Sequence, residues 1–355
     1  QENVRTLAGW TWQRPDDEPI CVGWRMVGGR LAAAVAYGKD APAARLSVGK
    51  IVAATLALGS RLLDRNRGWW AQYWKDVPSI DIPNPLLDEL FHYGMYKFAG
   101  LTHPDGVAAG LQGPWIEEYQ MPPWSADYHF NINVQMCYWP AYAGNRLAHL
   151  KPLFDMVWSW RDRLREHARL FVGIEDGLVL PHAVDDRCGI VGNFWTGTID
   201  HGCTAWVAKM MYDYWLYGGD ERFLRERAMP FMVGAMRVYQ AMLERTADGR
   251  LSLPVSVSPE YRGAAMNAWG RDASFQLACC HWLAEALIRA AETLGEKPDP
   301  AWEQIRRDLP VACLVGPSGA ERIGLWAGTD LEESHCHHSH LAGVCPFDVI
   351  DPADT

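Results

Sequence analysis

The chain has 355 residues, of which 49% are hydrophobic, and 33 Lys and Arg against 43 Asp and Glu give it a formal net charge of -10. This length suits one large domain and part of another. Since no basic block is present to neutralise phosphates, we exclude nucleic acid as a partner. The most apolar stretch, residues 51–60, is shorter than the roughly 18 residues that span a bilayer, so we expect no membrane insertion.

Cysteine and tryptophan usage adds two expectations. The 9 Cys contain no C-x-x-C pair, and a chain of this size can bury a core without disulfides, so we predict reduced, packed thiols. The 18 Trp are a large number for a ring that needs much space and a partner for its N–H group. Such rings either pack between large helices or stack on a flat ligand, and sugars are good candidates.

The first part of the chain has the pattern of short strands. Two apolar runs meet at Gly28-Gly29, which predicts a β-hairpin. A second run, residues 49–58, is comparable, although its alanines leave a helix as an alternative. We therefore predict that residues 1–65 are the end of an N-terminal β-domain and a linker.

After Asn66 the sequence has helical periodicity. Asn84-Pro85 has the pattern of an N-cap and first helical residue, and apolar residues then recur at spacings of three and four up to Gly100. The same pattern predicts helices over residues 150–171, 199–217, 220–244, 272–294 and 299–309.

Helices in succession predict a mainly α domain over residues 66–355. Residues 100–131, 172–199 and 250–271 form long connections that alternate with short turns. Because a solenoid would be more regular, we favour an (α/α)6 toroid, or six-hairpin barrel, over an open solenoid. The sequence shows about eight helices and the toroid needs about twelve, so we expect the chain to stop before the fold closes.

The first long connection contains a candidate sugar site. Asp127, His129, Asn131 and Asn133 alternate with other residues, so in an extended segment their side chains share one face. With the neighbouring aromatic rings of Trp124, Tyr128 and Trp139, these groups would suit a sugar ring and its hydroxyls. The alternative is a buried loop whose polar groups satisfy its own backbone.

The other two connections contain candidate acids. Glu260 follows an apolar, proline-constrained stretch, where burial would raise its pKa as a general acid requires. The alternative is a Glu that caps the next element. Asp185-Asp186 and Asp200-His201 are further candidates in the second connection.

A histidine-rich segment lies near the end, with four His among residues 335–340 and Cys336 between two of them. Structural zinc sites use separated pairs of ligands, and this spacing matches no standard one. We therefore predict no metal site, and assign these side chains to hydrogen bonding with substrate or to packing.

Four motifs, taken together, resemble the catalytic domain of glycoside hydrolase family 95, the inverting α-L-fucosidase family that also includes α-L-galactosidases. They are Leu-Gln-Gly-Pro-Trp at residues 111–115, the Pro-Trp to Trp-Pro segment at residues 123–140 with its Asn-Ile-Asn, Ser-Pro-Glu at residues 258–260, and His-Cys-His-His-Ser-His-Leu at residues 335–341. Cys137, Tyr261 and Cys336 stand where the family usually has Asn, Asn and Arg.

The resemblance implies a β-sandwich followed by an (α/α)6 barrel, and an exo-glycosidase that removes a terminal L-fucose-like or L-galactose-like residue from an oligosaccharide or polysaccharide. It implies no cofactor. By position, Glu260 would be the general acid, and Asn131 with Asn133 would hold the attacking water. The family supports that water through an Asp in a Gln-Ile-Asp-Gly-Asn-Phe-Gly element, which these 355 residues lack. Either the element lies beyond Thr355 or the chain lacks the base.

We predict that the following side chains bind substrate: Trp115, Trp124, Asp127, His129, His182, Asp186, Trp195, Asp200, His201, His337 and His340. Two alternatives remain at this stage. One is a non-catalytic carbohydrate-binding homologue, favoured by the missing Asp and the three departures. The other is a glycoside phosphorylase, which the few cations of the candidate loops, chiefly Arg187, Arg262 and Arg271, make less favourable.

Overall fold

The computed structural model describes residues 7–13, 17–113, 120–192 and 194–351. The chain divides into two compact units, Gln1–Pro78 and Ser79–Thr355. The predicted boundary near residue 65 thus lies inside the first unit, and the assignment of residues 1–65 to a β-domain stays a prediction.

The first unit is a three-stranded antiparallel sheet with two helices. Its strands, β1 (Ala8–Trp12), β2 (Ile20–Val27) and β3 (Arg30–Tyr37), lie in the order β1-β2-β3. The predicted hairpin is confirmed, because Gly28 and Gly29 join β2 to β3 with φ angles of 54° and 74°. Such positive angles belong to the tight turns that follow the twist of paired strands.

The helices of this unit are α1 (Ala41–Leu58) and α2 (Arg61–Asp76). The Asp40 side chain caps α1 by accepting a hydrogen bond from Ala43 N at 2.8 Å. Residues 49–58 are therefore helical, which confirms the helix alternative. On the inner face of α1, Ala44, Val48 and Val52 pack with Cys21 and Ala32 of the sheet.

Within the described residues, α1 is the one helix that meets the length and hydropathy criteria for a membrane span. The run over residues 41–58 contains Arg45 and Lys50, so it is not an uninterrupted apolar segment. The absence of membrane insertion stays a prediction.

The second unit is mainly helical. Its helices are α3 (Pro85–Leu101), α4 (Asn133–Tyr138), α5 (Pro140–Ala143), α6 (Lys151–Ser159), α7 (Arg161–Val172), α8 (Trp195–Thr198), α9 (Gly202–Gly218), α10 (Glu221–Phe223), α11 (Met229–Met242), α12 (Ser274–Thr293) and α13 (Pro300–Asp308). The helices α9, α11 and α12 pack against one another, and the side chains of α12 are buried along most of its length.

The predicted helices are confirmed, with differences in detail. The segment over residues 150–171 is two helices, because the backbone turns at Trp160 (φ -82°, ψ 0°) between α6 and α7. A π-helical turn over Leu224–Ala228 joins α10 to α11. The short helices α4 and α5 begin within the motif at residues 123–140, where no helix was predicted.

Short strand pairs fix the long connections of this unit. The strand β4 (Tyr128–His129) pairs with β5 (Ala183–Val184), and two further pairs join β6 (Glu244–Arg245) to β7 (Leu251–Ser252) and β8 (Leu314–Val315) to β9 (Arg322–Ile323). The third connection also folds back on itself through a bridge between Ser256 and Gly270. Of these pairs, β4–β5 contains His129, and the bridge between Ser256 and Gly270 encloses the turn that contains Glu260.

Candidate active site

The carboxylate of Glu260 lies at the centre of the candidate site. Its Oε1 accepts a hydrogen bond from Asn131 Nδ2 at 2.8 Å and lies 3.4 Å from His129 Nε2. Its Oε2 lies 3.3 Å from His337 Nε2. The first connection, the third connection and the histidine-rich segment therefore meet at one side chain.

The backbone presents Glu260 from a tight turn. Glu260 has a φ of 59°, a left-handed conformation that is uncommon for a residue with a side chain. Tyr261 N donates to Ser258 O at 3.2 Å, and Gly263 N donates to Glu260 O at 2.9 Å. A strained residue of this kind, held by the turn around it, is typical of functional sites.

Backbone hydrogen bonds join the first connection to the second at His129 and Phe130. His129 pairs with Ala183 in the β4–β5 ladder, and Phe130 N donates to His182 O at 2.5 Å. As a result, the rings of His129 and His182 lie with their centroids 4.9 Å apart.

The histidine-rich segment is joined to the third connection next to Glu260. The hydroxyls of Ser258 and Ser339 are 2.5 Å apart, and Glu332 N donates to the Tyr261 hydroxyl at 3.0 Å. These contacts fix both ends of the segment that carries His337. The buried Tyr261, which stands where the resemblance has Asn, therefore has a structural role here.

The electrostatics of Glu260 differ from the sequence prediction. Hydrogen bonds from His129 and His337, with a smaller contribution from Asn131, outweigh burial and hold the pKa of Glu260 well below its usual range. The predicted rise in pKa is therefore wrong for this structure. An apolar flanking sequence indicates burial, but it says nothing about donors that come from other segments.

His129 carries the matching positive charge. Burial would lower its pKa, but hydrogen bonds to Asp127 and Glu260 outweigh burial and raise the pKa of His129 to about 9. Asp127 Oδ1 lies 3.1 Å from His129 Nδ1, and both side chains are almost fully buried. Burial, aided by the charge on His129, lowers the pKa of His182 to about 4, so His182 is neutral at pH 7.

Asn131 and Asn133 occupy different environments. Asn131 is buried, and its Oδ1 has no hydrogen-bond partner among the described residues. Asn133 begins α4 and is exposed. The structure therefore brings Asn131, but not Asn133, into contact with Glu260.

Two cavities adjoin this cluster. One, of about 240 Å³, is lined by Trp124, Asp127, His129, His182, Phe194 and Glu260, among others. The other, of about 210 Å³, has Asn131, Trp139, Pro259 and His337 in its lining. The hydrogen bond between Asn131 and Glu260 joins the two linings. Phe194 was not among the site residues predicted from the sequence. The prediction instead included the neighbouring Trp195, an aromatic residue of the same segment.

Of the remaining predicted residues, those that the structure describes line neither cavity. Trp195 is held by a hydrogen bond from its Nε1 to Ala264 O at 2.8 Å, and Asp186 is exposed. His340 is buried near the end of the histidine-rich segment. Trp115 lies outside the described residues.

Asp200 and His201 are buried and line neither cavity. Burial raises the pKa of Asp200 to about 7, although the hydrogen bond of 2.8 Å from Gln276 acts to lower it. His201 packs against the ring of Tyr239, and burial lowers its pKa to about 4. In this structure both side chains contact protein, and their predicted contact with substrate stays a prediction.

Comparison with known families identifies the chain. The family model for the glycosyl hydrolase family 95 catalytic domain matches residues 55–355. The chain belongs to glycosyl hydrolase family 95. This match confirms the resemblance that the four sequence motifs indicated. The matched residues include Glu260 and its partners His129, Asn131 and His337.

Curated relatives of this family 95 chain have related names. Alpha-L-fucosidase 2 of Arabidopsis thaliana is 28% identical over 285 residues, which cover 75% of this chain and 32% of the relative. Probable alpha-fucosidase A of Aspergillus niger is 32% identical over 181 residues, which cover 48% of this chain and 22% of the relative. The chain thus spans about a third or less of the length of these relatives.

Among solved structures, a putative kojibiose phosphorylase from the human microbiome has a TM-score of 0.65 to the family 95 chain. The match covers 86% of this chain and 47% of the other, at 11% sequence identity. The two proteins share a fold.

Proposed function

We propose that this chain supplies the catalytic centre of an inverting exo-glycosidase that removes a terminal L-fucose-like or L-galactose-like residue from an oligosaccharide or polysaccharide. The observation that carries the proposal is the Glu260 carboxylate, held by Asn131, His129 and His337 next to a cavity with aromatic walls. Family membership and the alpha-fucosidase names of the relatives support the substrate class.

In the proposed reaction, Glu260 protonates the glycosidic oxygen as the bond to the anomeric carbon breaks. Before substrate binds, the proton that will reach the leaving oxygen resides on His129, 3.4 Å from Glu260 Oε1. Asp127 stabilises the imidazolium. Because two such close groups titrate as a pair, the one proton they share passes from His129 to Glu260 Oε1 and from there to the leaving oxygen as the glycosidic bond breaks, which leaves His129 neutral and Glu260 ionised. A low pKa makes the protonated Glu260 a strong acid.

The attacking water is assigned to Asn131 and Asn133. The unpartnered Oδ1 of Asn131 is a free acceptor for a water proton. The bond of 2.8 Å between Asn131 and Glu260 leaves no space for a sugar, and inversion needs about 6.5 to 9.5 Å between acid and water-activating group. We therefore expect the substrate to break this bond, so that the glycosidic oxygen replaces Asn131 at Glu260.

For the fold, our proposal is that the second unit is part of an (α/α)6 toroid. Long connections that carry the site alternate with short turns between packed helices, as this architecture requires. The shared fold with the solved structure at a TM-score of 0.65 is compatible with it.

A non-catalytic carbohydrate-binding homologue is the second candidate. It is favoured by the direct bond between Asn131 and Glu260, which occupies the place that a substrate would need. A phosphorylase has less support, because no Lys or Arg is among the described residues that line either cavity.

The test is an NMR time course of the full-length protein with aryl α-L-fucoside and α-L-galactoside, following the anomeric proton of the released sugar. If the β-anomer is the first product from one of the two substrates, the result supports the proposal and identifies the sugar that the enzyme accepts. First release of the α-anomer contradicts inversion. Calorimetric sugar binding without any product would favour the binding protein.

A further inference from the structure

A mixed set of metal-binding groups surrounds Glu260 on its Oε2 side. Glu260, Cys336 and His337 each offer one ligand atom, and these atoms lie within 4.8 Å of one another. A carboxylate, a thiol and an imidazole are the three ligand types that Zn²⁺ prefers in proteins. The sequence prediction of no metal considered the spacing within residues 335–340 alone, whereas the structure adds a carboxylate from another segment.

The geometry suits a tetrahedral ion. Zn²⁺ bonds of about 2.0 to 2.1 Å to nitrogen and oxygen place two ligands of a tetrahedron about 3.3 Å apart. His337 Nε2 and Glu260 Oε2 are 3.3 Å apart. A thiolate bond of about 2.3 Å would place the sulfur about 3.6 Å from the other ligands, and since these atoms now lie within 4.8 Å, each distance to the sulfur needs to shorten by about 1.2 Å at most. Cys336 is exposed and can make that adjustment.

The two oxygens of Glu260 have separate partners, so an ion that replaces the His337 contact at Oε2 need not disturb Oε1. Oε1 is engaged by Asn131 and His129, and Oε2 faces His337. A metal ion at Oε2 therefore need not break the contacts on the other side of the carboxylate. Three protein ligands leave a fourth tetrahedral position for water.

We propose that Glu260, Cys336 and His337 form an inhibitory site for Zn²⁺ or a similar thiophilic divalent cation. On binding, the Cys336 thiol loses its proton to solvent as the sulfur–metal bond forms, and the positive ion at Oε2 opposes protonation of the same carboxylate at Oε1, where the proton for the leaving group would be held. The inhibitory effect rests on the proposed function, while metal binding at this site does not.

The experiment measures Zn²⁺ binding by the full-length protein in competition with a chromophoric chelator, and records the thiolate-to-metal charge-transfer absorption after Co²⁺ is substituted. We expect one equivalent with that absorption in the wild type. Cys336→Ser should weaken binding by about tenfold or more, the range seen when metal-site groups are removed, and should lose the absorption. Cys345→Ser is the matched control, since Cys345 is also exposed but lies outside the cluster, and it should retain both.

A wild type that binds no Zn²⁺, or a Cys336→Ser variant that keeps the full equivalent, would overturn the site. Hydrolysis is followed in parallel, with the activity of each variant without added Zn²⁺ as its own reference. Activity that is insensitive to Zn²⁺ in a protein that binds it would contradict inhibition. Zn²⁺ binding without any hydrolysis in its absence would instead count against the proposed function and leave the metal site standing.

Discussion

At the scale of single residues, the chemistry of this site depends on contacts between distant parts of the chain. Glu260 is 129 residues from Asn131 and 131 from His129, yet these two side chains and His337 determine its charge. The sequence identified all four residues by type and motif. It gave the wrong direction for the pKa of Glu260, because local composition indicates burial but not the partners that oppose it.

The charge on His129 leads to a prediction about stability. The folded pKa of His129, about 9, lies above the ordinary 6.5. Its contribution to the free energy of unfolding should therefore be complete below pH 6.5 and be lost as the pH rises through 9. His129→Gln should cost on the order of 3 kcal/mol near pH 6 and little at pH 10. Urea unfolding across this pH range measures the difference.

A control for this prediction is His92→Gln. His92 also lies near an aspartate, Asp88, at 3.6 Å, but both side chains are about half exposed. An exposed pair of this kind contributes about 0 to 1 kcal/mol. Equal pH dependence in the two variants would show that the buried Asp127–His129–Glu260 contacts do not raise the pKa of His129.

At the scale of elements, helix positions followed from the sequence and the loop contacts did not. Periodicity and caps located α3, α9, α12 and α13 to within a few residues, because these signals are local. The break at Trp160 and the pairing of β4 with β5 depend on tertiary contacts, which no local pattern contains. The contacts of Glu260 with Asn131, His129 and His337 are non-local in the same way.

Within the second connection, the contact between α8 and His182 gives a prediction at this scale. A Cβ on Gly197 would lie 1.8 Å from His182 Nδ1, closer than two atoms can pack. Gly197→Ala should therefore displace His182 from the cavity wall, raise KM for the sugar, and destabilise the fold by about 1 to 3 kcal/mol. Steady-state kinetics and urea unfolding test the two effects.

Gly94→Ala is the matched control. Gly94 lies inside α3, and a Cβ there would meet nothing within 4 Å. Alanine is favoured over glycine in a helix by about 0.5 to 1 kcal/mol, so this variant should be slightly more stable with unchanged kinetics. Unchanged KM in Gly197→Ala would show that the position of His182 does not matter for sugar binding.

At the scale of the whole 355-residue chain, net charge makes a prediction about substrates. A chain with a formal net charge of -10 repels anions over distances comparable to the Debye length, about 10 Å at 0.1 M salt. We expect kcat/KM for a sulfated aryl α-L-fucoside to increase with salt, and that for the neutral fucoside to stay constant. A sulfated substrate that is turned over faster at low salt would indicate a local positive field and contradict this expectation.

The most direct measurement of the central claim, that Glu260 is the general acid, compares Glu260→Gln on two classes of glycoside in the full-length protein. Glutamine cannot donate a proton, so turnover of substrates with poor leaving groups should fall by about 10² to 10⁴. Aryl glycosides whose leaving group needs no protonation should be largely spared. Glu332→Gln is the control, since Glu332 is an exposed partner of Arg262 in the same region, and it should behave like the wild type. Equal loss of activity on both classes of substrate by Glu260→Gln would contradict the account.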